Sequence, residues 1–190
     1  MITKWIEEQT FTNVSYCNQK LTQTEFETCT FLNCDFSNAD FTESDLLNCR
    51  FEGCNFSVAK FAGTGMKEIK FIGCKLIGIN FDNCTDFLFS VGFQDCILDY
   101  STFAEKKMKK TKFANCSMKE VDFSGTDLSM SVFENCDLLD TVFKYTNLEK
   151  ADFRTAYNYG FDPEVNKIKQ ARFSFPGIAG LLGKYHIDIE

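Results

Sequence analysis

The chain has 190 residues, 44% of them hydrophobic, with a net charge of −7, 22 phenylalanines and 10 cysteines, but only 2 prolines and 1 histidine. That is enough chain for one domain with a sizeable core. The acidic balance argues against non-specific binding to nucleic acid or an anionic membrane, and no apolar run approaches the ~20 residues of a membrane-spanning helix.

The opening MITKWIEEQT has neither the basic nor the apolar stretch of a secretion signal. The expectation is therefore a cytoplasmic protein with reduced thiols. Residues 1–10, with Trp5 and Ile6, are expected to form an N-terminal cap.

From Phe11 the chain advances in steps of five: every fifth residue is Phe, Tyr, Leu or Met as far as Phe81. After a slip of two residues within CTDFLFSVGF (84–93), the register resumes at Leu88 and runs to Phe153. Neither the helical period of about 3.6 nor the strand period of about 2 produces this. A longer period of twenty lies inside it. Phe31, Phe51, Phe71, Phe93, Phe113, Phe133 and Phe153 form one column, and Phe41, Phe61, Phe81, Phe103, Phe123 and Phe143 another. The columns starting at Phe26 and Phe36 mix Phe, Leu and Met. Four columns mean four five-residue sides per coil, each side chain stacked on its equivalent one coil away. At the ~4.8 Å separation of neighbouring strands, about seven coils make a rod roughly 35 Å long.

The corners agree. Two residues past the first Phe column stand Asn33, Gly53, Gly73, Asp95, Asn115 and Asn135, types that accept the positive φ of a type II turn. Two residues before each lattice position the side chain is nearly always small. Each pentapeptide is thus expected to turn one large and one small side chain inward and three to water. At the slip, Phe87 and Phe89 have no lattice place. They are expected to fold over the bulge and shield it, the alternative being an exposed aromatic contact.

Beyond Phe153, the segment ARF (171–173) repeats the pattern, with the loop NYGFDPEVN (158–166) replacing one side of an irregular last coil. Pro176 suits the first turn of a short α-helix, which Gly183 would end. The domain division is a cap at 1–10, a repeat region at 11–155 and an irregular coil, helix and tail at 156–190.

With ADF (39–41), TDL (126–128), TNL (146–148) and ADF (151–153) as sample units, the sequence resembles the pentapeptide repeat family from Phe11 to Thr155. The resemblance implies a right-handed, four-sided β-helix and a non-enzymatic interaction protein. In outline it is closest to the bacterial quinolone-resistance members, which implies an acidic rod that imitates DNA and binds a type II topoisomerase, DNA gyrase. It also implies a homodimer through the tail, where Ile178, Leu181, Leu182, Ile187 and Ile189 are too apolar to be left free.

The cysteines at 29, 34, 49, 54, 74, 96, 116 and 136 occupy the small inward position, Cys84 joins them if the slip follows it, and only Cys17 then stands outside. Their spacing of five or more does not suit zinc, so they read as packing. With a single histidine, His186, no Ser-His, Cys-His or two-His site can be assembled. No cofactor, metal or catalytic residue is expected, and no enzyme. Lys106, Lys107, Lys109, Lys110 and Lys112 read as a solvated face, although Lys106 takes a normally small inward position. The sides bearing the Phe36 and Phe41 columns carry most of the net negative charge. Their acidic edge comprises Asp35, Asp40, Glu43, Asp82, Asp99, Glu120, Asp122, Asp137 and Asp140, interrupted by Lys60, Lys75, Lys119 and Lys144. The expected partner is a protein, with no direct nucleic-acid or membrane contact. The alternative to a topoisomerase is a generic scaffold that makes contact through Phe87, Phe89 and the tail.

Overall fold

Large side chains of one column can stack only if every fifth position returns to the same side of the coil, and the backbone does this throughout. The computed structural model describes residues 2 and 4–188. Among them, the strands β1 (Lys4–Glu7), β2 (Thr10–Thr12), β3 (Thr24–Glu27), β4 (Thr30–Leu32), β5 (Asp45–Leu47), β6 (Arg50–Glu52), β7 (Gly65–Lys67), β8 (Ile69–Ile72), β9 (Val91–Gln94), β10 (Lys112–Ala114) and β11 (Val132–Glu134) are all paired in parallel. They form two sides of a four-sided solenoid, a four-stranded sheet in the order β1-β3-β5-β7 and a seven-stranded sheet running from β2 to β11. The other two sides are built of turns joined by single parallel bridges such as Asp35 to Asn55 and Asp40 to Lys60. Pairing already starts at β1, where Ile6 stands opposite Phe26; Trp5 is mostly exposed.

From Thr24 to Ala156 the buried residues are the two inward positions of each pentapeptide, joined only by Ala114 and Ser129 and broken at the slip. The phenylalanines stack face to face: Phe31 on Phe51 at 4.8 Å, Phe113 on Phe133 at 5.1 Å, and Phe153 on Phe173 at 5.4 Å between ring centroids. Each fully buried ring contributes roughly 1.5–3 kcal/mol by leaving water. The corners are left-handed, with φ of 52° at Asn33, 61° at Gly53 and 53° at Asn115.

The two-residue slip lies where expected, but the lattice does not resume at its expected residue. Ile69 pairs with Val91, a step of 22 in place of the 20 that joins Leu46 to Met66. Leu88 does not resume the lattice; it is 53% exposed. Residues 86–89 close a turn, with the Phe89 N–H donating to the Asp86 carbonyl at 3.4 Å. The third residue of that turn, Leu88, takes the corner conformation (φ 57°) and points out. Phe89, the fourth, falls where every corner sends its inward side chain and is buried.

At the far end the solenoid is closed by its last coil and tail. Lys167 and Arg172 bridge to Asn147 and Asp152, while Tyr159, Phe161 and Leu181 are buried. The expected α-helix is instead a 3-10 helix, Pro176–Leu181, followed by a second 3-10 turn, Gly183–Tyr185. The helix is pressed against the last coil. Gly177 and Gly180 lie against the Tyr159 side chain and carbonyl so closely that neither could carry a Cβ, and the Gly180 carbonyl accepts the Phe161 N–H at 3.2 Å.

Candidate functional surfaces

The small inward positions are not interchangeable apolar filler. Cys49 Sγ–H donates to the Phe26 carbonyl at 3.2 Å and Cys54 to Phe31 at 3.4 Å, each bond reaching 23 residues back. Ser44 does the same to Leu21 at 2.6 Å, Thr64 to Phe41 at 2.7 Å and Thr126 to Phe103 at 2.9 Å. Cys, Ser and Thr recur here because each is small and can donate to the carbonyl of the previous coil. All ten thiols are free and nine are buried, Cys17 being the half-buried one. Burial pushes the Cys49 and Cys84 thiols up to about 12, which keeps them protonated and weakly nucleophilic. Among the described residues, no cluster of three His, Cys, Asp or Glu side chains could hold a metal ion.

The slip carries the main irregularity of the surface. Of the two phenylalanines there, Phe89 is buried and offers no contact, whereas Phe87 is 78% exposed. Phe87 and Leu88 overhang a groove of about 310 Å³ on the β3-β5-β7 side. Beneath the bulge, Lys106 is 2% exposed. Its Nζ donates to the Cys84 carbonyl and to Asp86 Oδ1, both at 2.5 Å, and lies 5.5 Å from the centre of the Phe89 ring. Lys106 therefore does not belong with the solvated lysines around it.

On the acidic sides, the carboxylates preceding a large residue are tied into the coil. Asp35 Oδ1 accepts the Ser37 N–H, Asp122 Oδ1 the Ser124 N–H and Asp137 Oδ1 the Leu139 N–H. Asp40 Oδ1 accepts both the N–H and the hydroxyl of Thr42; the hydroxyl bond is the main cause holding this carboxyl below its ordinary range. Asp99 accepts from Ser117 and the Lys119 N–H. Asp82 Oδ1 is buried without a partner among the described residues. Glu43, Glu120 and Asp140 occupy left-handed corners and are exposed. Lys119 neutralises part of the edge through Asp137, 3.6 Å away.

Two family models describe this architecture, the pentapeptide repeat region over residues 24–103 and pentapeptide repeats, eight copies, over 116–154. The chain belongs to the pentapeptide-repeat proteins. Among solved structures of this fold it is similar to a trypsin-treated variant of QnrB1, a plasmid-mediated fluoroquinolone resistance protein, at 20% identity and a TM-score of 0.54. That match covers 98% of this chain and 90% of the other. It is also similar to HetL, a pentapeptide repeat protein involved in heterocyst differentiation regulation, from the cyanobacterium Nostoc sp. strain PCC 7120. Here the identity is 13%, the TM-score 0.55, and the coverage 90% of this chain and 87% of the other. No curated protein matches in sequence.

In this pentapeptide-repeat protein the tail is docked rather than free. Lys184 Nζ bridges Asp162 at 2.8 Å and Glu164 at 2.7 Å, fastening the tail to the 158–166 loop. Leu181 is buried and Leu182 half-buried, leaving Ile178 and Ile187 exposed; Ile189 lies outside the described residues. The most exposed apolar side chain of this end is Phe175, at 90%. Only its place between the last lattice residue, Phe173, and Pro176 could have marked it in the sequence.

Proposed function

We propose that this chain is a non-enzymatic cytoplasmic interaction protein that binds a type II topoisomerase, DNA gyrase, as a DNA mimic and protects it from quinolones. The observation that carries this reading is the arrangement of carboxylates on two adjoining sides of the solenoid. Asp35 and Asp137 stand in one ladder, and Asp40 and Asp122 hold the equivalent position on the next side. Turn hydrogen bonds fix these carboxylates in place, so little side-chain entropy is lost on binding. An acidic solenoid is complementary to a basic groove that ordinarily takes DNA phosphates. The likeness to QnrB1 supports the fold, and the resistance named for that protein suggests the partner.

Gyrase supercoiling with and without a fluoroquinolone tests the proposal. Protection that is lost when Asp40 and Asp122 are both changed to Lys supports it; no effect at tens of micromolar refutes it. The exposed Phe87 favours a second reading, a scaffold with no topoisomerase role that makes contact through the slip. In either case a two-fold dimer through Phe175, Ile178 and Ile187 would cover the apolar end, and light scattering at micromolar concentration decides this.

A further inference from the structure

The four-stranded sheet stops at β7 because the slip intervenes, and three features meet there. The first is an apolar surface. Phe87 and Leu88, 78% and 53% exposed, project over the outer face, where Leu47 is only half-buried. The ladder position in front of them is Gly65, which has no side chain to fill the groove.

The second feature is unpartnered charge. Glu25, Asp45 and Gly65 are successive members of one ladder. The Asp45 carboxylate leans over Gly65, into the space a Cβ would occupy. Neither Glu25 nor Asp45 makes a side-chain hydrogen bond or ion pair with a described residue. This contrasts with Asp35, Asp40, Asp122 and Asp137 on the other sides, all of which are bonded. Lys67 is the one cation lining the groove among the described residues, beside Leu47 in the neighbouring ladder.

The third is a backbone donor. Glu8, Thr28 and Asn48 donate their N–H groups to the carbonyls of Glu27, Leu47 and Lys67 one coil on. Glu68 is next in that series, and the slip leaves its N–H without a backbone acceptor among the described residues.

We propose that this groove docks a short extended segment of a partner protein bearing a large apolar side chain next to a lysine or arginine. The apolar side chain lies over Gly65 against Phe87 and Leu88, the cation pairs with Asp45 and Glu25, and a backbone carbonyl of the segment takes the Glu68 N–H. Pockets for side chains combined with main-chain pairing at an interrupted sheet edge are a recurring way of binding extended peptides. The groove lies on the side opposite the Phe36 column, so it stands whether or not the acidic sides engage a topoisomerase.

The test pans a displayed library of random heptapeptides on the intact protein, then measures the most enriched sequence as a labelled synthetic peptide by fluorescence anisotropy. Enriched sequences should place an aromatic or aliphatic residue within two positions of Lys or Arg. Phe87→Ser should weaken binding roughly tenfold or more, as loss of an aromatic anchor does. Asp45→Asn should weaken it about threefold, with the wild-type contribution fading in salt. Both residues are on the surface, so both variants should keep the wild-type urea midpoint. No enrichment, enrichment of acidic peptides, or binding indifferent to Phe87→Ser would overturn the assignment. A negative gyrase assay would leave it untouched.

Discussion

Lys106 Nζ lies 2.5 Å from Asp86 Oδ1, an ion pair between a buried ammonium and a carboxylate whose side chain is 74% exposed. Lys106 stands in the ladder that also holds Thr24, Ser44, Thr64, Cys84, Thr126, Thr146 and Asn166. Where the slip widens the coil, a longer donor is needed to reach the carbonyl of Cys84, and the lysine stem fills the extra space.

The two partners of this pair should differ sharply on mutation. Lys106→Met keeps the stem but strands the buried Cys84 carbonyl, and a charged hydrogen bond is lost; the expected cost is about 2 kcal/mol. Asp86→Asn leaves the ammonium with Cys84 and nearby water, and should cost less than about 1 kcal/mol. Urea unfolding of the two variants checks the ranking, and equal costs would contradict this account of the slip.

A second expectation concerns the corners. Val58 is a β-branched residue at φ 59°, 58% exposed, between Asn38 (φ 56°) and Gly78 (φ 67°) in its ladder. The left-handed conformation costs an ordinary L-residue roughly 1–2 kcal/mol, and asparagine bears it more easily. Val58→Asn should therefore stabilise the protein by about 1 kcal/mol, seen as a raised thermal midpoint. A destabilised variant would mean that Val58 contributes packing that its exposure does not suggest.

The core tests the stacking itself. Phe103 is fully buried and stacks on Phe81 at 4.4 Å and on Phe123 at 5.2 Å. Phe103→Ala should cost about 3–5 kcal/mol. Phe103→Leu should cost much less, because Leu98, Leu128 and Leu138 serve in the neighbouring columns with no exposed surface. Calorimetric midpoints of the two variants would separate lost volume from lost ring stacking.

The legibility of these features in the sequence depends on what repeats. Phe31, Phe51 and Phe71 declare their column because identical sides stacked on one another demand the same residue, and Asn33 and Gly53 declare the corner for the same reason. Leu88 continues the five-residue count as well as any true lattice residue. Its exposure is decided by the turn from Asp86 to Phe89, which the count does not contain, and the burial of Lys106 rests on that same turn. In the tail, Pro176 and Gly183 are local signals that suit an α-helix, whereas the contact of Gly177 and Gly180 with Tyr159 is made across the chain. On the acidic sides the five-residue count puts Asp35, Asp40, Asp122 and Asp137 in their ladders. It does not contain their turn hydrogen bonds, which distinguish them from the unpartnered Glu25 and Asp45.

The thiols make the last prediction, and its sign can be worked out. Cys49 and Cys84 titrate near 9.0 in the unfolded chain and are raised by burial to about 12 when folded. The folded state thus holds these protons more tightly, so the stability they contribute is complete below about pH 9 and is lost as pH climbs toward about 12. The protein should unfold in that alkaline window, and Cys49→Ser should blunt the loss. A serine hydroxyl does not ionise there, and Ser44, Ser101 and Ser131 already make the equivalent bond to Leu21, Leu76 and Met108. In the neutral native state an alkylating reagent should label Cys17 alone, with the other nine thiols reacting only in denaturant, as counted by intact mass. Fast labelling of several thiols at neutral pH would place them outside the stacked interior, and the bonds that Cys29, Cys34, Cys49, Cys54, Cys74 and Cys96 make to the coil behind would not hold the solenoid together.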